Sequence, residues 1–525
     1  MAPRLLVIGL DAFERSLAKQ LMADGLMPNL AKVAASGTRY RLDQADMFTG
    51  LPWEHWSSGR SPADGGRWSA ITFDTAHYTA RQDETPFRPF LADVPLRTVV
   101  LDLPYCDLAS APTVRGLTRW GSHDPGAPVA SRPAGLHREI AARFGAYPAA
   151  EWIYGFSWPS VTRTRAASAA LVKGVHTRAA VAKWLLAERL PDWDLGIVVV
   201  SEGHSAIEPM WHGVDPRHPL HGIPSAKDAG DGLRAVYGAI DELIGTMQAA
   251  FPDATLAVFT MHGMGANDGD VASMVLLPEL LYRHAFGTPH MLPGTWPAHL
   301  PDGTPLLSED ESWESAMARL VPLTEPPRRS GLGGLLDRLQ RKADPVPDVH
   351  AMSWMPSTRY SEFWPRMRAF ALPSFNDGRV RLNVRGRESR GMVAADQYRA
   401  TLDEIAQLLE ECREPIGGQK VVAEMKRHSS DPMTVGPSLP DLTIFWRGTP
   451  LGLVHPSLGP IGPVPWRRTG AHTGECGFLY MSGDGLPACD AGDASAFDVV
   501  PTLIALAGAQ PVTGVSGRSL LPSTL

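Results

Sequence analysis

A chain of 525 residues is ample for a large core and longer than one minimal domain needs. With 44% hydrophobic and 20% charged residues, its composition is that of an ordinary globular protein and not of a disordered one. The net charge of −7 argues against a nucleic-acid-binding surface, which normally carries a basic excess. A small anionic substrate stays compatible, because charge at a site can oppose the global balance.

The N-terminal apolar run Leu5 to Leu10 breaks at Asp11. It is too short to span a membrane and lacks a small-residue cleavage site, so it reads as neither anchor nor secretion signal. The four cysteines (Cys106, Cys412, Cys476 and Cys489) are widely spaced with no CxxC pair, which fits free thiols and a cytoplasmic location.

Further along, TVVLDLP begins at Thr98, GIVVVSEGH runs into His204, LAVFTMHG runs into His262, and DLTIFW follows Pro440. Continuous β-branched runs of this length suit strands covered on both faces, as in a parallel sheet. Helical stretches such as Ala179 to Arg189 and Gly232 to Ala250 lie between them. That alternation predicts a doubly wound α/β fold with a mostly parallel central sheet. In such sheets ligands bind beyond the carboxyl ends of the strands, where Asp11, His204 and His262 stand here. One Asp after a strand is usually a turn or helix cap; three metal-capable residues at three strand ends point to a site.

The stretch 280–364 is rich in Pro, Gly and charge and reads as an insertion or lid. It divides a core of 1–279 and 365–525. The end of the chain, AFDVVPTLIALAG, reads as a capped helix entered at Asp498.

Several segments, in order, resemble the type I phosphodiesterase/nucleotide pyrophosphatase branch of the alkaline phosphatase superfamily. They are VIGLDAF with LMPNLAKVAASG, FTGLPWEHWSSGRSPADGG, RVRLNVRGRESRGMV, PSLPDLTIFW, GAHTGECGFLYMSG, and FDVVPTLIALAG with GVSGRSLL. The resemblance covers both ends of the chain and most of the core, but not the insertion. It implies a three-layer αβα sandwich and a metal-dependent hydrolase of phosphate esters, with a phosphodiester or nucleotide-like substrate. By position, Asp11 matches a carboxylate of the second metal site, Thr49 the nucleophile, and His472 the last metal histidine. Read without the resemblance, Thr49 is as readily a helix cap.

Two segments depart from the family pattern. Where the family has an Asp and then a His four residues later, this chain has His204 and Glu208, followed by Trp211 and the Asp215-Pro-Arg-His218-Pro stretch. With His472 the inventory is still two imidazoles and one carboxylate, a common catalytic zinc set, and i, i+4 spacing places both exchanged residues on one helical face. Where the family has Ser-Asp-His-Gly, this chain has Thr260-Met261-His262-Gly263. A thioether is a poor ligand for a hard or borderline divalent ion, so the second metal site is expected to be weakened or empty. The family's later His-Gly is also absent, with Gly65 in place of the histidine.

One divalent ion, zinc by this donor set with manganese and iron as alternatives, is therefore expected at His204, Glu208 and His472. Asp11 and His262 would then assist Thr49 by proton transfer, and Arg467 and Arg468 would hold phosphate oxygens. Two other readings use the same residues: a mononuclear 2-His-1-carboxylate enzyme with different chemistry, and a non-catalytic or regulatory protein that keeps the fold.

Overall fold

The computed structural model describes residues 4–43, 49–123, 126–323, 352, 354–474 and 476–521. The chain forms two compact units. The first comprises Met1–Trp68, Glu84–Asn267 and Arg468–Leu525, and the second Ser69–Asp83 and Asp268–Arg467.

The first unit is built on a nine-stranded sheet. Its strands are β1 (Leu5–Leu10), β2 (Thr38–Asp43), β3 (Thr98–Leu101), β4 (Arg115–Thr118), β5 (Ala130–Arg132), β6 (Leu195–Val200), β7 (Thr255–Thr260), β8 (Cys476–Ser482) and β9 (Cys489–Ser495). They lie in the order β9-β2-β8-β7-β1-β6-β3-β4-β5. The central run from β7 to β4 is parallel throughout. β5 and β8 join antiparallel to β4 and β7. β1, β3, β6 and β7 are buried at every position, which is why their sequences read as unbroken apolar runs and not as alternations.

The helices used below are α1 (Pro52–Ser58), α2 (Val161–Trp184), α3 (Glu202–Met210), α4 (Ala226–Ala250) and α5 (Val499–Leu506). α2 and α4 pack along each other and share one hydrophobic core with the sheet, through Leu171, Val175, Leu233 and Ile240. Both are longer than the sequence pattern suggested, since α2 begins at Val161 and α4 at Ala226. The C-terminal helix begins after Asp498, as its sequence predicts, and is led into by a 3₁₀ turn, Ala496–Asp498, which carries a capping box between Ser495 and Asp498; Asp498 makes no side-chain capping bond to the helix itself. Among the described residues, no helix is long and apolar enough to cross a membrane.

The second unit carries a four-stranded antiparallel sheet made by Ala369–Leu372, Gly378–Leu382, Leu442–Trp446 and Val422–Arg427. The run DLTIFW thus belongs to an antiparallel sheet and not to the parallel one. A strand buried on both faces has the same sequence in either arrangement, so the pattern could not separate them. The fully buried Asp441 accepts hydrogen bonds from Arg387, Tyr398 and the Leu382 amide, and so ties that sheet to the helix Tyr398–Glu410. The stretch 365–467, read from sequence as core, lies in this unit. Within the expected insertion, positions 324–351 and 353 lie outside the described residues.

Candidate metal and nucleophile centre

Five parallel strands of the first unit end along one edge of the sheet, and each end carries a chemically useful residue. Asp11 follows β1, Asp102 follows β3, and His262 stands two residues past β7. The turn after β4 carries His123, and α3, which begins two residues after β6, carries His204 and Glu208. β8 runs antiparallel to β7, with Phe478 opposite Thr260, so the segment leading into it brings His472 beside the end of β7. The topology alone therefore gathers these side chains at the crevice where open α/β sheets bind ligands.

His204 is the hub. Its Nδ1 lies 3.0 Å from Asp11 Oδ2, its Nε2 lies 3.8 Å from Glu208 Oε1, and its ring stacks on His123 with centroids 3.6 Å apart. The ligand atoms of His123, His204 and Glu208 all lie within 4.8 Å of one another, and all three residues are buried. The i, i+4 spacing on α3 does bring the exchanged imidazole and carboxylate to one face. His472 stands beside this group and outside it: its ring is 4.7 Å from that of His204, edge to face, and its Nδ1 is 3.0 Å from His262 Nε2. Among the described residues, the group of ligand-type atoms that includes His204 and Glu208 is completed by His123 and not by His472.

Asp11 is engaged on both oxygens. Oδ2 faces His204, and Oδ1 accepts a 2.7 Å bond from the Trp53 indole on α1. Trp53 reaches it across Gly9 of β1, where a Cβ would come 2.6 Å from the indole ring. Burial opposes the charge on Asp11, but the His204, His123 and His262 imidazoles outweigh it and hold the carboxyl well below its usual range. Against the desolvation of its own ring, Asp11 and Glu208 raise His204 above the ordinary histidine value. Burial lowers His123 and His262 to about 4, with the neighbouring His204 adding to the effect. The guanidinium of Arg468 is ion-paired to Glu208 Oε1, whereas Arg467 is paired with Asp270 at 3.1 Å.

Thr49 is buried just ahead of α1, and its Oγ1 lies 2.8 Å from His55 Nε2. The same oxygen accepts a 3.1 Å bond from the Leu51 amide. Burial lowers His55 to about 4, partly countered by a hydrogen bond to the Arg60 backbone. Which of the two donates in the bond between Thr49 and His55 is set by the imidazole tautomer, and with Nε2 unprotonated the threonine hydroxyl is the donor. No hydrogen bond joins Thr49 to Asp11, His204 or His262 among the described residues. Met261, in the family's carboxylate position, lines a small apolar pocket with His55, Trp56, Phe497 and Val500.

These buried histidines make acid stability a direct check on the geometry. His55, His123, His218 and His262 fall from 6.5 to about 4, and His212 to about 3, all chiefly through burial. Between those values the unfolded chain binds more protons than the folded one, so stability rises with pH across that window. The thermal midpoint of metal-free protein is expected to fall as pH drops from about 6.5 towards 4, with a shallower slope in His55→Gln. A flat midpoint across that range would show that these rings are solvated.

No family model matches the chain, and no curated protein matches it in sequence. Among solved structures it is similar to phosphonoacetate hydrolase from Sinorhizobium meliloti 1021 in complex with phosphonoformate, with a TM-score of 0.42, 13% identity and 96% of each chain covered. The phosphonoacetate complex of that protein gives a TM-score of 0.43 and 14% identity, again over 96% of each chain. The chain is also similar to human ectonucleotide pyrophosphatase/phosphodiesterase 5, with a TM-score of 0.44, 9% identity, and 97% of this chain and 96% of that one covered.

Proposed function

We propose that this protein is a metal-dependent hydrolase of small phosphate esters, of phosphodiester or nucleotide-like type, with one divalent ion and a threonine nucleophile. The observation that carries the reading is the group His123, His204 and Glu208, two imidazoles and a carboxylate converging at a strand-end crevice. The donor set fits an ion. His204 Nε2 and His262 Nδ1 are buried and make no hydrogen bond among the described residues, which is costly for a polar atom that has no other task. Asp11 holds the far nitrogen of His204, the arrangement that fixes tautomer and ring direction in metal-ligating histidines.

A nitrogen-rich set with one carboxylate suits zinc, and manganese or iron accept the same donors. A bound ion would supply Lewis acidity towards a phosphoryl oxygen. Position 261 is a methionine, whose thioether is a poor ligand for such an ion, so we assign one ion and not two.

The chain's own residues supply the rest. The Leu51 amide holds Thr49 Oγ1 in place, and His55 Nε2 takes its proton as that oxygen bonds to phosphorus and the bond from phosphorus to the ester's leaving oxygen breaks; the leaving alcohol takes up a proton, and water then cleaves the threonyl phosphate to restore the hydroxyl. Arg468 is ion-paired to Glu208 and bonded to the Tyr154 carbonyl, and in this reading it would exchange one of these partners for a phosphate oxygen. All four cysteines are free, which supports the cytoplasm as location.

The test is metal analysis of protein purified without chelator, together with nitrophenyl phosphate, phosphodiester and sulfate ester panels. About one zinc per chain with phosphoester turnover is the expected result. No metal and no turnover would leave a binding or regulatory role. Because the donor group is two imidazoles and one carboxylate, a mononuclear iron enzyme is the second reading, and iron with oxygen-dependent turnover would establish it.

A further inference from the structure

Beneath the candidate centre lies a charged network that the sequence reading did not single out. Arg178 of α2 is fully buried, as are Asp102 and Glu202. Its Nε lies 3.0 Å from both oxygens of Glu202, its Nη1 lies 2.9 Å from Asp102 Oδ2, and its Nη2 donates to the Gly121 carbonyl at 3.2 Å. Tyr147 donates a 2.9 Å bond to Glu202. Asp102 in turn accepts from the amides of Trp120 and Gly121, at 2.8 and 2.7 Å. The guanidinium lies over the Trp120 ring, and Gly121 must be glycine, since a Cβ there would come 2.6 Å from the Tyr147 ring and 2.9 Å from Arg178 Nη2. Asp102 itself holds φ at +63°, a conformation that a non-glycine residue keeps only when its surroundings enforce it.

The two segments clamped by this guanidinium are the ones that carry the donor group. Gly121 is two residues before His123, and Glu202, the first residue of α3, is two residues before His204. The donors come from a loop and a helix after different strands, so their separation depends on how that loop is seated against that helix. A planar, five-donor fork can hold both at once, where a point charge cannot. Three charged groups sealed from water are a weak means of stabilising a core, because apolar packing does as well; fixing a geometry is the better-attested use of such a cluster.

We infer that Arg178 is a positioning residue that sets the distance between His123 and the His204–Glu208 pair, and with it the affinity and coordination geometry of the ion assigned above; this rests on that assignment. The experiment compares zinc affinity by competition with a chromophoric chelator, and the visible spectrum of the cobalt-substituted protein, in wild type, Arg178→Lys and Arg387→Lys. Arg178→Lys keeps the charge and loses the fork. It is expected to stay folded by circular dichroism, to bind zinc about 10- to 100-fold more weakly, and to shift the cobalt absorption bands. Arg387→Lys disturbs an equally ionic buried cluster in the second unit, bonded to Asp441, and is expected to leave both readouts unchanged.

Zinc affinity and cobalt bands within error of wild type in Arg178→Lys would overturn the inference, and so would an equal loss in Arg387→Lys, which would mark a general stability effect. Should Arg178→Lys not fold, Tyr147→Phe, which removes one bond to Glu202, is expected to give the same spectral shift in smaller measure. An unchanged Tyr147→Phe spectrum would then overturn it. Wild-type protein that binds neither metal would instead overturn the donor assignment, and the positioning role with it.

Discussion

Thr49→Ala is expected to lower kcat for phosphoester hydrolysis by at least about 10³-fold while leaving zinc content at the wild-type level. The two halves of that result come from different parts of the site. The hydroxyl is the attacking atom in the proposed reaction, and its hydrogen-bond partners are His55 and the Leu51 amide. The donor group His123, His204 and Glu208 is held by Asp11, α3 and the turn after β4, none of which the threonine side chain supports. Loss of the hydroxyl should therefore remove the nucleophile and spare the ion. His55→Gln should reproduce much of the loss, about 10²- to 10⁴-fold, because an amide cannot take the proton. In wild type the acid limb of kcat/KM should reflect the value near 4 that burial imposes on His55, activity falling below it as the ring is protonated. Wild-type turnover in Thr49→Ala would remove the threonine from the reaction and return it to its other reading, a residue capping the entry to α1. Parallel loss of zinc and activity would place it among the ion's own supports.

How much of this the sequence disclosed depends on the range over which each feature is encoded. Strands such as Leu5–Leu10 and Leu195–Val200 were legible because burial on both faces leaves an unbroken apolar run. Asp11, His204 and His262 could be placed at strand ends for the same reason, since each stands where a run stops. The pairing of His204 with Glu208 followed from helical periodicity on α3. His123 was not legible. It follows a four-residue strand, Arg115–Thr118, too short to leave a pattern, and its neighbourhood to His204 is created only by β3 lying between β4 and β6. His55 was hidden differently. It lies inside a segment read for its resemblance, and its partnership with Thr49 crosses the start of α1, where no helical spacing rule applies. The antiparallel setting of DLTIFW shows the same limit, since burial is written in composition and strand direction is written in the partner.

His123 therefore offers the sharpest contrast between what the chain suggested and what its fold assembles. His123→Ala should weaken zinc binding by more than about 10²-fold, beyond the range typical of residues that only orient a ligand. His472→Ala should keep zinc bound with a modest loss, because His472 contacts the group through ring packing on His204 and through His262. The sequence alone led to the opposite ranking, with His472 the third ligand beside His204 and Glu208. Competition titrations on the two variants decide between these sets without any substrate. Weak binding in His472→Ala with His123→Ala unaffected would restore the family-like set and leave His123 as a ring stacked on His204. Loss in both would mean the ion draws on four histidine and carboxylate donors, His123, His204, Glu208 and His472, which a tetrahedral zinc site can accommodate only by giving up its open position. A site closed in that way could bind a metal but could not present it to a phosphoryl oxygen. The proposed hydrolysis therefore requires that His123 and His472 not both be ligands.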